Sequence, residues 1–137
     1  MKKIPIILGL AVALLASSCR GIVPPTKDIH ASPVSVIRAM FEGYKNNNTD
    51  LIISSAAPAR RQNRREQMPK DPLAEANKWL KEKWGIPLSD VDIGKITLKI
   101  NKDQGDKKYV DAQYNGKSCG DQATVIRING KWYIDWF

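Results

Sequence analysis

Little in this chain can hold a metal ion or carry redox chemistry. Its 137 residues include one histidine, His30, and two cysteines, Cys19 and Cys119. They show no metal-ligand spacing, so neither a metal nor a cofactor is expected. Glycine forms no phosphate cradle. Gly116 and Gly120 flank a turn with no helix after it, unlike the loops that seat nucleotide phosphates at a helix start. Aromatic residues make up 7% of the chain, and none interleaves the basic run Arg60–Arg65. Stacking of nucleobases therefore has no support, and nucleic acid is not an expected partner. No apolar run is long enough to cross a bilayer. The longest, Ile4–Leu15, falls short of the roughly 20 residues that a hydrocarbon core of about 30 Å demands.

What the sequence does have begins at its amino terminus. Lys2 and Lys3 precede the apolar run, and Ala16-Ser17-Ser18 supplies small residues after it, the three zones of a secretory signal. Leu15-Ala16-Ser17-Ser18-Cys19 then resembles a bacterial lipoprotein box, although Ala16 stands where leucine is commonest. The resemblance implies cleavage before Cys19, a diacylglycerol on its thiol and a membrane partner held through that lipid. Two or more acyl chains anchor a protein stably, whereas one binds marginally. Arg20 follows the cysteine in place of the aspartate that retains such proteins in the inner membrane, so the expected location is the cell envelope, at the outer membrane. A plain signal peptide is the competing reading, and it would leave Cys19 free to pair with Cys119.

Removal of residues 1–18 leaves about 120 residues, enough for one modest core. The charge is 22 basic against 14 acidic residues, and two of the basic ones, Lys2 and Lys3, leave with the leader. Outside the cytoplasm such an excess suits anionic lipid headgroups or acidic glycans, and it also suits simple solubility. Residues 19–31, with Pro24-Pro25 and no sustained period, read as a lipidated terminus and flexible tether.

A single domain is expected over residues 32–137. Ser32-Pro33 is a helix start, and Ile37, Met40, Phe41 and Tyr44 mark one helical face. Asn46–Asn48 stops that helix, and Asn48 or Thr49 caps a second one through Ala56. Asp71-Pro72 opens a third, with Leu73, Ala76, Asn77, Leu80 and Trp84 on one face, Trp79 on its shoulder and Gly85 at its end. From Ile96 the period becomes two. Strands are expected over Ile96–Ile100, Tyr109–Tyr114, Ala123–Ile128 and Lys131–Phe137, with Asn115–Asp121 as a polar connection and Asn129-Gly130 as a tight hairpin turn. The expected fold class is α+β: three N-terminal helices packed on a curved antiparallel sheet of about four strands.

The stretches SPVSVIRAMFEGYKNNNTDLIIS and VIRINGKWYIDWF resemble the opening helices and the closing hairpin of small bacterial lipoproteins with an NTF2-like (cystatin-like) cone, of the DUF4878 type. The resemblance implies a cone-shaped domain and no common activity. Two functions follow as expectations. The first is a non-catalytic binding domain that takes an anionic envelope component or a protein partner, with Arg60, Arg61, Arg64 and Arg65 as the anion patch. A solvated loop or helix face explains that run equally. The second is a small-ligand carrier or ketosteroid-isomerase-like pocket enzyme. Its general base would be a strand carboxylate, Asp111 or Asp135, with a pKa raised by an apolar cavity, and Tyr109, Tyr114, Trp132 and Tyr133 would line the pocket. Against it, both aspartates also fit a solvated face, paired with Lys108 or Arg127.

Overall fold

A computed structural model describes residues 28–136. The leader, Cys19 and most of the expected tether lie outside the described residues.

The first helix, α1 (Pro33–Lys45), starts where the sequence places it. The backbone N–H of Ser35 donates to Ser32 Oγ at 3.0 Å, and Pro33 occupies the first turn, where no intrahelical donor is needed. Val36, Ile37, Ala39, Met40 and Phe41 are buried along it, while Tyr44 is only half-buried. The asparagine turn after it works at both ends. Asn47 takes a φ of 50°, which asparagine tolerates, and its Oδ1 accepts from Leu73 N–H at 2.8 Å. Asn48 caps α2 (Thr49–Ser55) by accepting from Leu51 N–H at 3.1 Å. Helices α1 and α2 meet at Gly43, where a Cβ would lie 2.7 Å from Ile52 Cγ1.

Four α-helices stand in the described chain, where three were expected. The additional one is α3 (Arg61–Glu66), which forms on the basic run itself. Like charges along a short helix are unfavourable, so tertiary partners must hold it; Arg61 donates to the carbonyls of Ala56 and Ser54 at 3.2 Å each. Helix α4 (Pro72–Lys83) is capped by Asp71, which accepts from Ala74 N–H, and it ends before Gly85 at φ 83°. Ala76, Leu80 and Trp84 form its buried face. Two 3₁₀ turns, Leu88–Asp90 and Ile93–Lys95, lead on to the sheet.

The strands are β1 (Thr97–Asp103), β2 (Lys107–Tyr114), β3 (Lys117–Ile128) and β4 (Lys131–Trp136). They pair antiparallel in sequence order, and the sheet does not close. Val110, Ala112, Tyr114, Val125, Trp132 and Ile134 form its inner face, against α1 and α4. Full burial of an isoleucine or phenylalanine contributes about 1.5–3 kcal/mol, so Ile37, Phe41, Leu80, Ile96 and Ile134, all within 1% of complete burial, dominate this core.

One expectation along the strands needs correction, and one alternation breaks. The expected polar connection Asn115–Asp121 is largely strand, because β3 starts at Lys117. A register shift opposite Ala112 accommodates the extra residues, with Gly120 at φ 88°. Trp136 does not join Trp132 and Ile134 inside. A second shift pairs it with Thr124 and leaves it 65% exposed, with Asp135 as the extra residue.

The outer edge of β4 is covered. Ala57 N–H donates to the Ile134 carbonyl, and Trp132 N–H donates to the His30 carbonyl, both at 2.8 Å. His30, placed by sequence in the tether, therefore already lies on the sheet.

Candidate functional site

Two places in this fold gather functional side chains. One is the end of the sheet that carries the turns Gln104–Asp106 and Asn129-Gly130. The register sets Lys102 against Tyr109, Lys107 against Ile126, Arg127 against Trp132 and Ile128 against Lys131, so the cations of all four strands converge there. Lys102 and Lys107 flank the Tyr109 ring, with their Nζ atoms 5.8 and 5.5 Å from its centroid. On the other face, Lys108 Nζ and Arg127 Cζ lie 5.5 and 5.3 Å from the Trp132 centroid, and their stems cover that indole. Two carboxylates answer these charges. Lys108 Nζ contacts Asp103 Oδ1 at 2.6 Å, and Arg127 Nε donates to Asp106 Oδ1 at 2.7 Å. The Lys108 hydrogen bond, helped by Gly105 N–H, holds the Asp103 carboxyl below the usual carboxylate range. Among the described residues, no salt bridge engages Lys102, Lys107 or Lys131.

The described chain enters the sheet beside this basic end. His30 Nδ1 lies 2.8 Å from the Trp132 carbonyl, which only accepts, so Nδ1 carries the hydrogen. Its ring centroid sits 4.4 Å from that of Tyr133. Trp132 in turn pairs with Arg127 across the hairpin.

The second place is a cleft of about 270 Å³ between α1, α3 and α4, open at the β3 irregularity. Met40, Phe41, Tyr44, Ala76 and Trp79 give it an apolar, largely aromatic wall. Arg64, Glu75 and Asp121 supply its charge.

The residues expected from sequence to act together are dispersed. Arg60 Nε donates to Asp135 Oδ1 at 3.1 Å. Arg61 holds α2 carbonyls and lies 5.8 Å from the Tyr133 centroid. Arg64 lines the cleft, and Arg65 is exposed. Arg61 thus spends its donors on backbone carbonyls, and Arg60 forms a surface ion pair with Asp135. The carboxylates do not face the cleft either. Asp111 alternates with the buried Val110 and Ala112, and accepts from Ser118 Oγ at 2.7 Å and Gln113 Nε2 at 3.1 Å. Asp135 is held by Arg60, not by Lys108 or Arg127. Tyr114 is buried, its hydroxyl accepting from Asp92 N–H and its ring 5.5 Å from Trp84. Tyr109, Trp132 and Tyr133 stand on β2 and β4 away from the cleft.

Cys119 is a free thiol with no solvent exposure. Burial pushes its pKa up, against hydrogen bonding with the backbone of Asp121 and Ala112 that acts the other way. Such a thiol is a poor nucleophile. Among the described residues, no group of three or more histidine, cysteine or acidic side chains is placed to hold a metal ion, and no helix is long and apolar enough to cross a membrane.

Sequence reading missed the cleft because Met40, Phe41 and Ala76 share the spacing of ordinary core residues. The one local signal was Trp79, off the apolar face of its helix. The lysine cluster was masked differently: its members are scattered from 102 to 131, and only strand register joins them. Comparison with family models, with curated proteins and with solved structures finds no match for this chain.

Proposed function

We propose that this chain is a lipid-anchored protein of the bacterial cell envelope, at the outer membrane. Its domain is a non-catalytic module of the NTF2-like kind, and the basic end of the sheet rests on an anionic surface of the envelope. The observation that carries this reading is the entry of the chain at Trp132, next to that basic end. With lipid on Cys19, only residues 20–27 separate the anchor from Asp28. The nine steps from Cys19 to Asp28 reach at most about 32 Å when fully extended, at about 3.6 Å each. The β4 side of the sheet is thus the side tethered to the bilayer, and the cations of this end are within its reach.

Lys102, Lys107 and Lys131, which no salt bridge among the described residues engages, suit such a surface. Each basic residue near an anionic leaflet contributes about 1 kcal/mol, within a Debye length of about 8 Å at physiological salt. Three of them give about 3 kcal/mol, roughly a 100-fold change in partitioning. The exposed Trp136 on β4 adds an amphipathic ring of the type found at membrane interfaces. A catalytic reading has less support, since Asp111 and Asp135 are both engaged by neighbours and neither lines the cleft.

The test uses the mature chain with Cys19→Ser, so that acylation does not mask weaker contacts. Its binding to phosphatidylglycerol vesicles should exceed that to phosphatidylcholine vesicles and fall steeply with salt. The triple change Lys102→Gln, Lys107→Gln, Lys131→Gln should lower it about 100-fold at low salt. Unchanged binding in that variant rejects the surface. Intact mass of the protein extracted from membranes tests the anchor: an unmodified Cys19, or a retained leader, rejects it.

A further inference from the structure

The cleft between α1, α3 and α4 has a composition that the basic sheet end does not explain. The chain has a formal net charge of +8, yet two carboxylates, Glu75 and Asp121, stand at this cleft against one guanidinium, Arg64. Two half-buried aromatic side chains, Tyr44 and Trp79, share its wall, with the buried Phe41 behind them. We infer that the cleft is a binding site for a small organic cation, an ammonium group on an apolar body.

Each feature of the lining selects for that class. The ring faces of tryptophan, tyrosine and phenylalanine attract cations through their quadrupole, and tryptophan does so best. The same faces repel an anion. A carboxylate or sulfonate ligand would meet two like charges for each opposite one, whereas a monocation meets the reverse. Its charge also neutralises the excess negative charge of the lining. Arg64 then serves to balance one of the two acids, leaving the other for the ligand. Met40 and Ala76 add apolar surface for the rest of the molecule, and a volume of about 270 Å³ takes a substituted ring or a short chain. Glu75 and Asp121 are exposed, so water and salt weaken their pull, and the aromatic wall supplies much of the selectivity.

The sequence origins of the site are consistent with this use. Glu75 and Trp79 stand four residues apart on α4, one helical turn, so carboxylate and indole share one face. Asp121 belongs to the irregular part of β3, next to Gly120 at φ 88°, and that irregularity brings the carboxylate to the mouth of the cleft. Arg64 reaches the same mouth from α3.

The site is separate from the lysines at the sheet end, so each can fail without the other. The experiment labels the four tryptophans of the mature chain with Cys19→Ser, in solution without vesicles, with 5-fluorotryptophan. Trp79→Phe identifies the Trp79 resonance. Three probes that share one ring are then titrated: benzyltrimethylammonium, benzyl alcohol and benzenesulfonate. The expected result is a saturable shift of the Trp79 resonance with the ammonium, at about fivefold lower concentration than with the alcohol, and none with the sulfonate. Glu75→Gln with Asp121→Asn should weaken the ammonium about fivefold or more, and Arg64→Gln should tighten it. Both changes are at exposed or half-exposed positions, and unaltered Trp84 and Trp132 resonances report that the fold is kept. Equal or tighter binding of the alcohol or the sulfonate overturns the cation assignment, and a Trp79 resonance that no probe moves overturns the site. Loss of vesicle binding in the triple lysine variant with an intact ammonium response separates this inference from the proposed function.

Discussion

Replacing Gly43 with alanine sets two effects against each other at one carbon atom. In an isolated helix the change is favourable by about 0.8–1.0 kcal/mol, because glycine loses more backbone freedom. Here the added Cβ would stand 2.7 Å from Ile52 Cγ1, 3.0 Å from Ile52 N and 3.3 Å from Asn48 O. Two of these neighbours are backbone atoms at the start of α2 and cannot rotate away. Ile52 is 1% exposed and β-branched, so its χ1 has little room to change. Relief requires α1 and α2 to separate, an overpacking cost of about 1–3 kcal/mol. The net expectation is a loss of about 1 kcal/mol, seen in urea as a midpoint lowered by about 0.5–1 M with an unchanged slope. The same displacement moves Met40, Phe41 and Tyr44, so the Trp79 response to the ammonium probe should weaken as well. With Ile52→Ala in place the closest contact is gone, and Gly43→Ala should then cost less than in the parent. A raised midpoint for Gly43→Ala, or an equal cost in the two backgrounds, would refute the reasoning.

Cys119 should resist thiol reagents until the protein unfolds. Its folded pKa is raised by burial, so the stability it contributes is present below the unfolded thiol value of about 8.5 and declines as pH rises past it. Denaturant titrations between neutral and alkaline pH should show a steeper decline in the parent than in Cys119→Ala, and equal slopes would contradict a buried neutral thiol. Asp103 behaves oppositely: its folded pKa is lowered, so its contribution is lost as pH falls through that value. Lys108→Ala should move the Asp103 carboxyl back toward the ordinary range in an NMR titration, and an unmoved value would mean that Lys108 is not its main partner.

Features fixed by a few neighbouring residues were the legible ones. Ser32-Pro33, Asn48 and Asp71-Pro72 each start a helix as read, because a cap needs only a side-chain oxygen and the next turn of backbone. Asn129-Gly130 turns the last hairpin with both residues at positive φ, as the pair demands. The charges of RRQNRR are adjacent in sequence, while the partners of Arg60 and Arg61 on β4 are not. Arg60 finds Asp135 and Arg61 finds Tyr133, more than seventy residues on, and neither pairing has a local signature. The polar stretch after Tyr114 read as a connection because exposed strand residues and loop residues have the same composition; only pairing with β2 distinguishes them. Helical periodicity found the apolar faces of α1 and α4 without separating the part that fills the core from the part that walls the cleft.

The two margins of the sheet differ in one respect with consequences for assembly. β4 is sealed by the backbone of His30 and Ala57, whereas no strand lies beyond β1 among the described residues. A sheet with two bare margins can add copies without limit, as fibres do. With one, a second molecule that pairs along β1 leaves no other bare strand margin among the described residues, and growth stops at a two-fold pair. Lys99 and Lys102 on that strand oppose even this step, since two copies would bring like charges together. His30 and Ala57, from two separate stretches of the described chain, thus cover the β4 side together, and edge-to-edge association through β1 is limited to a dimer.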